Sequence, residues 1–299
     1  MISGKFRVLE TGRQPAGWCI MAGLQHVAIA GVKWLCAVCL AVAIGLSSMP
    51  WGWAQTLPDH LTKVQIQTAN DLRQQAFVAT DRGDFATAEK YWTQLIALFP
   101  DNPVGWSNRG TVRAAQNHLE AAIADYDRAI ALAPDAPDPY LNRGTVLERL
   151  EQWDAAIADY NRLLELTPND PMALNNRGNA RAGLGNWEGA IADYQTAIDL
   201  APNFATARIN QALALYQIGN TEPAIHNLRN LVRRYPRYAD PRAALTAALW
   251  MQGKQGEAES QWVATIGLDN RYKNIDWVQN NRHWPPEMVS ALNQFLQVQ

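Results

Sequence analysis

Residues 108–134 read NRGTVRAAQNHLEAAIADYDRAIALAP. The text returns with few changes at 142–168 (NRGTVLERLEQWDAAIADYNRLLELTP) and at 176–202 (NRGNARAGLGNWEGAIADYQTAIDLAP). A proline closes each copy, and the series extends outward as Pro100, Pro134, Pro168, Pro202 and Pro236, each 34 residues after the last. A fixed period of this length marks stacked supersecondary units, none of which buries its apolar face alone. Counting from the prolines gives six units, 67–100, 101–134, 135–168, 169–202, 203–236 and 237–270, the sixth ending on Asn270.

Each unit reads as two helices. The first carries packing residues four apart, such as Trp106 and Gly110 or Tyr140 and Gly144. A turn follows, marked by Gly83, Asn117, Gly185, Gly219 and Gly253. The second helix has apolar residues at helical spacing, Ala122, Ile123, Tyr126, Ala129 and Ile130, and the proline ends it. Ala88, Ala122, Ala156, Ala190, Ala224 and Ala258 form one column, where a small side chain lets two helices cross closely. Gly110, Gly144 and Gly178 form another, in mid-helix, where glycine costs about 1 kcal/mol against alanine. Close backbone approach is the expected compensation. Trp92, Tyr126, Tyr160, Tyr194, Leu228 and Trp262 fill the position opposite. The predicted fold is all-α, a right-handed superhelical solenoid of helix–turn–helix repeats with a concave groove.

Period, alanine and glycine columns, aromatic column and closing proline together resemble the tetratricopeptide repeat over residues 67–270. The outer units depart from the pattern. Gln75, Gln211 and Leu245 replace the arginine of NRG, and Arg208 and Arg242 replace the leading aromatic. After Arg271, Trp277 and Trp284 precede Pro285-Pro286-Glu287 and MVSALNQFL, which predicts a C-terminal capping helix within 271–299. This tail, with RAALTAALWMQGKQGEAESQWVATIGLDNRYKNIDWV and the NRGTVR and DAPDPYLNRG phrases, resembles a narrower group: tetratricopeptide proteins of the chloroplast lumen and their cyanobacterial relatives. That resemblance implies a thylakoid lumen or a periplasm.

The N-terminus points the same way. Residues 34–46, WLCAVCLAVAIGL, follow Lys33 and are ended by Ser47, Ser48, Met49 and Pro50, with Gly52-Trp53-Ala54 beyond. A cationic start, a short apolar run and small residues two apart predict a secretory signal over residues 1–54, cleaved after Ala54. The alternative is a retained membrane anchor at 28–46, with Lys33 inside it. Cys19, Cys36 and Cys39, the only cysteines, lie in this segment, so residues 55–299 form no disulfide or thiolate metal site.

The 299 residues carry a net charge of −2, and −5 without residues 1–54, which gives no basic surface for nucleic acid. His60, His118, His226 and His283 are scattered, and no phosphate loop, nucleophile elbow or paired-histidine motif is present. Gly183, Gly185 and Gly189 have the wrong spacing for a dinucleotide loop. The sequence therefore predicts no enzymatic activity, no cofactor and no metal. It predicts a protein or extended peptide as partner, and a membrane only through the N-terminal segment.

Candidate binding residues come from the first helices. Asn108 lies about 200° around the helix from Trp106. Asn142, Asn176 and Asn210 repeat its column, and Thr111, Thr145 and Asn179 lie three residues further on the same face. A carboxamide both donates and accepts, so four in register would clamp an extended backbone without reading its side chains. The bland alternative is hydrogen bonding within the scaffold. Cytosolic-chaperone tails, gripped by lysines, are not expected, because Val104, Ser107, Asp138 and Leu141 stand in those columns. A second pattern pairs Arg109 with Asp125, Arg143 with Asp159 and Arg177 with Asp193, while the other units carry neither charge. It predicts an ion pair between the two helices of a unit, contributing about 0.2–1 kcal/mol if exposed.

Overall fold

A computed structural model describes residues 63–298. The predicted signal or anchor, with its cleavage position, lies outside the described residues. Contacts divide the chain into a segment Met1–Ile66 and a compact unit Gln67–Gln299. The described residues form helices and no strand. Six hairpins follow one another: α1 (Lys63–Asp81) with α2 (Phe85–Leu98), α3 (Pro103–Ala115) with α4 (Leu119–Leu132), α5 (Pro137–Arg149) with α6 (Trp153–Leu166), α7 (Pro171–Gly183) with α8 (Trp187–Leu200), α9 (Ala205–Gln217) with α10 (Thr221–Arg234), and α11 (Ala239–Met251) with α12 (Gln255–Leu268). A 3-10 turn (Asn270–Lys273), α13 (Ile275–Arg282) and α14 (Pro286–Leu296) complete the chain.

Local chemistry sets the helix ends. Pro103, Pro137 and Pro171 open their helices, where no backbone N–H is needed. Asn102, Asp170, Asp84 and Asn186 accept backbone N–H groups as caps. Within each hairpin one residue turns left-handed: Gly83, Asn117, Glu151, Gly185, Gly219 and Gly253, with φ between 56° and 81°. The third unit does this with a glutamate, which strains its backbone. Glu151→Gly is expected to raise stability by about 0.5–1 kcal/mol, the relief of strain exceeding the entropy glycine adds to the unfolded chain. Urea unfolding of the two proteins checks it.

The alanine column is fully buried in all six units. The glycine column has a different cause from the one expected. A Cβ at Gly110 would lie 2.9 Å from the Tyr126 ring, at Gly144 2.7 Å from Tyr160, and at Gly178 2.5 Å from Tyr194. Glycine makes room for a tyrosine ring of its own hairpin, not for a neighbouring backbone. Where the aromatic column is Trp92, Leu228 or Trp262, the partner is Ala76, Ala212 or Thr246.

The arginine–aspartate pairs are present and do more than link two helices. Arg109 grips Asp125 through two bonds of 2.9 and 2.7 Å, Arg143 grips Asp159 (2.9 and 2.6 Å), and Arg177 grips Asp193 (2.9 and 2.6 Å). The third nitrogen of each fork reaches back to the preceding hairpin: Thr93, Asp127 and Asn161 respectively. The aspartates are almost wholly buried, so the pairs are not the exposed bridges the sequence allowed for. Gln211 reaches Gln195 in the next register, a neutral version of the same tie. The apparent outliers Arg208 and Arg242 also keep a role. Their Nε donates to the carbonyls of Pro202 and Pro236, as Trp106 Nε1 donates to Pro100 and the Tyr140 hydroxyl to Pro134. At these four seams hairpin follows hairpin through the carbonyl of the closing proline, and at Pro168 the column holds Leu174 instead.

Candidate functional site

The first helices α3, α5, α7 and α9 carry the candidate residues, and their side chains divide into three kinds. Asn108 donates to its own Val104 carbonyl (2.8 Å), Thr111 to Ser107 (3.1 Å) and Thr145 to Leu141 (2.9 Å). These are bonds back along one helix, the scaffold-internal pattern. Asn210 bridges helices, its Nδ2 donating to Asn175 (3.1 Å) and Asn179 (3.0 Å) of α7, and Asn179 also accepts from the Tyr194 hydroxyl (2.9 Å). Asn176 accepts from Asn175 (3.2 Å). Asn142 differs from all of them. It is 91% buried, and its Nδ2 is the one buried side-chain nitrogen or oxygen without a hydrogen-bond partner among the described residues. An unmet buried donor costs about 1–3 kcal/mol, and a ligand acceptor reaches this one only if the side chain turns outward.

The face changes character along the array. Ser107, Thr111, Leu141, Thr145, Asn176 and Asn179 remain partly open to solvent. The same columns in the last two units hold Ile209, Leu213, Ala243, Ala244 and Ala247, and these are buried. What covers them is the chain's own C-terminus. Met288, Leu292 and Phe295 of α14 are wholly buried in one core with them. Phe295 meets the rings of Trp250 and Trp262 edge-on, with centroids at 5.3 Å in both cases. The Glu287 N–H donates to Gln217 at the end of α9 (2.9 Å). The predicted cap therefore comprises a 3-10 turn and two helices, and it seats α14 on the first helices α9 and α11. A capping helix was readable from the sequence; this seat was not.

One carboxylate anchors the cap. Asp240, in the first turn of α11, accepts from the Tyr272 hydroxyl (2.5 Å), Trp284 Nε1 (3.1 Å) and the Arg282 guanidinium. Sequence reasoning did not single it out, and its column gave no signal, because Asp138 stands in the same position with Val104, Met172 and Thr206 in the other units.

Glu148 lies on α5 six residues beyond Asn142, on a different side of the helix. The Tyr160 hydroxyl donates to it (2.6 Å), yet burial dominates and pushes its carboxyl up to about 8. Its charge would also stand near Tyr194, whose hydroxyl is held well above its usual range chiefly by burial. At neutral pH Glu148 therefore keeps its proton. In the unfolded chain it ionises near 4.5, so between 4.5 and 8 the folded state holds the extra proton and stability falls as pH rises. Glu148→Gln removes this loss. The variant is expected to gain on the parent by about 1–2 kcal/mol between pH 5 and pH 8, less than the full 1.4 kcal/mol per unit because the side chain is only partly covered. Urea titrations at the two pH values measure it.

The partly open side chains of the face, Ser107, Thr111, Thr145, Asn176 and Asn179, are hydroxyls and carboxamides that both donate and accept. This suits an extended backbone. Among the described residues no group of three His, Cys, Asp or Glu could hold a metal ion, and no helix is long and apolar enough to cross a membrane.

Comparison with known proteins agrees with the architecture. The tetratricopeptide-repeat pattern matches residues 74–143, 117–173, 143–209 and 209–269. Tetratricopeptide repeat protein 36 of Bos taurus is 31% identical over 67 residues, which is 22% of this chain and 36% of that one. A tetratricopeptide repeat protein from Parabacteroides merdae superposes with a TM-score of 0.61 at 21% identity, over 78% of this chain and 93% of its own. The pilF protein of Pseudomonas aeruginosa gives 0.61 at 14% identity, over 79% and 100%. The Cut9–Hcn1 hetero-tetramer of APC/C gives 0.59 at 17% identity, over 78% and 46%. Period, hairpin geometry and these matches coincide, and the chain belongs to the tetratricopeptide-repeat family.

Proposed function

We propose that this chain is a non-catalytic scaffold or assembly factor that holds an extended segment of a client protein along the inner face of α3, α5 and α7. The observation that carries the reading is the run of partly open polar side chains, Ser107, Thr111, Thr145, Asn176 and Asn179, on the stretch of first-helix face that the cap leaves open. Partnership in a solved array of the same fold, Cut9 with Hcn1, is consistent with it. An exported location, thylakoid lumen or periplasm, rests on the N-terminal segment and on the narrower sequence resemblance. If residues 28–46 stay uncleaved, the same scaffold works tethered to a membrane, and an alkaline wash leaves it in the pellet. A regulatory subunit of an enzyme would instead copurify with that enzyme at constant stoichiometry.

The test is a crosslinked pull-down with the full chain and with a variant carrying Asn108, Asn142 and Asn176 changed to Ala. A client captured by the parent and lost by an equally helical, equally stable variant supports the reading. Equal capture by both rejects the inner face as the site.

A further inference from the structure

One seam between second helices breaks the pattern of all the others. Where α3, α5 and α7 meet two successive second helices, an arginine fills the gap, tying an aspartate on one side and Thr93, Asp127 or Asn161 on the other; at α9 Gln211 reaches back to Gln195. At α11 the same column holds Leu245. Its flanking columns hold Arg229 where the third unit's seam has Asp127, and Gln261 where it has Asp159. Leucine fills less of this gap than arginine, and a furrow of about 290 Å³ opens there. Leu245 and Leu249 form its floor, and His226, Arg229, Arg233 and Gln261 stand on its rim.

The charge around the furrow leans positive, with Arg229 and Arg233 lining it against one acid, Glu257. Arg229 is 43% exposed and gives Nη2 to Glu257 (2.6 Å); Arg233 gives Nη2 to Asn230. Each guanidinium has five N–H groups, so most of each fork remains available to a further carboxylate.

We infer that this furrow docks an acidic segment of a partner protein. Carboxylates would sit on Arg229 and Arg233, with an apolar side chain entering above Leu245 and Leu249. Charge complementarity and the missing arginine argue for an acidic, partly apolar occupant, and a chain segment supplies both features. The site is separate from the inner face of α3, α5 and α7, and it stands or falls independently of that reading.

Fluorescence anisotropy with the full chain tests it. The probe is a labelled synthetic peptide, Glu-Glu-Leu-Glu-Asp-Phe-Glu, and the control is its Gln/Asn isostere. Two variants are compared with the parent. Arg229→Glu/Arg233→Glu reverses the rim on exposed positions. Leu245→Arg/Gln261→Asp rebuilds the ion pair of the other units and fills the furrow. The expected result is salt-sensitive binding of the acidic peptide, at least tenfold weaker in each folded variant, with the isostere unbound. Absence of salt-sensitive binding, or equal binding by the rim-reversed variant, overturns the proposal. So does tighter, rim-dependent binding to phosphatidylglycerol vesicles than to the peptide, which would assign the patch to a lipid surface.

Discussion

Asp240→Ala is expected to release the C-terminal cap and to cost about 3–5 kcal/mol. The carboxylate is almost fully buried and holds three donors from three different parts of the cap: Tyr272 on the 3-10 turn, Arg282 at the end of α13, and Trp284 before α14. Without it, a guanidinium, a hydroxyl and an indole N–H lose their common acceptor inside a covered site. Its position in the first turn of α11 adds a favourable interaction with the helix dipole. The apolar seat of α14 then has to hold the cap alone. Urea unfolding followed by tryptophan fluorescence measures the loss, and limited proteolysis reports cleavage between Asn270 and Pro285. Asp240→Asn keeps an acceptor for Trp284 but no charge for Arg282, and should fall between parent and alanine variant. A loss under 1 kcal/mol with unchanged proteolysis would mean that the apolar contacts suffice.

The second large effect lies in the arginine ties. Asp159→Ala leaves Arg143 part-covered with only Asp127, and is expected to cost about 2–4 kcal/mol. The Arg143 guanidinium keeps its charge whatever its partners, so it does not relieve the loss by giving up its proton. The sixth unit shows how the chain itself dispenses with the pair, by Leu245 and Gln261 in the same columns. The double replacement Arg143→Leu/Asp159→Gln should therefore recover more than half of the single-variant loss, because no charge is left without its partner. Additive losses in this cycle would show that the two residues act separately.

The hairpins were legible because their signals are local and repeat six times: closing prolines, a turn residue and an alanine column. The ion pairs were legible because arginine and aspartate appear and disappear together across units, and burial was what the text could not give. The glycine column was half read. Its co-occurrence with tyrosine sixteen residues on, at 110/126, 144/160 and 178/194, names the ring that needs the space, and alanine or threonine stands wherever tyrosine does not.

The binding face was the least legible part. Column position placed Asn108, Asn142, Asn176 and Asn210 alike, yet one bonds its own helix, one bridges two helices and one has an unmet donor. Hydrogen-bond partners depend on which neighbour lies across each seam, and that is tertiary information. The change from Thr111, Thr145 and Asn179 to Leu213 and Ala247 did mark where the polar face ends. That α14 closes it there follows only from packing.

The most direct test of the account is site-specific photocrosslinking of the full chain to its captured client. Benzoylphenylalanine would replace Thr111, Thr145 or Asn179 on the open face, and separately Ala115 or Met251 at the C-terminal ends of α3 and α11. Crosslinks from the first three positions and from Ala115, with none from Met251 beside the capped half, are the predicted result. Crosslinks concentrated at Met251 and absent from Thr145 would contradict it.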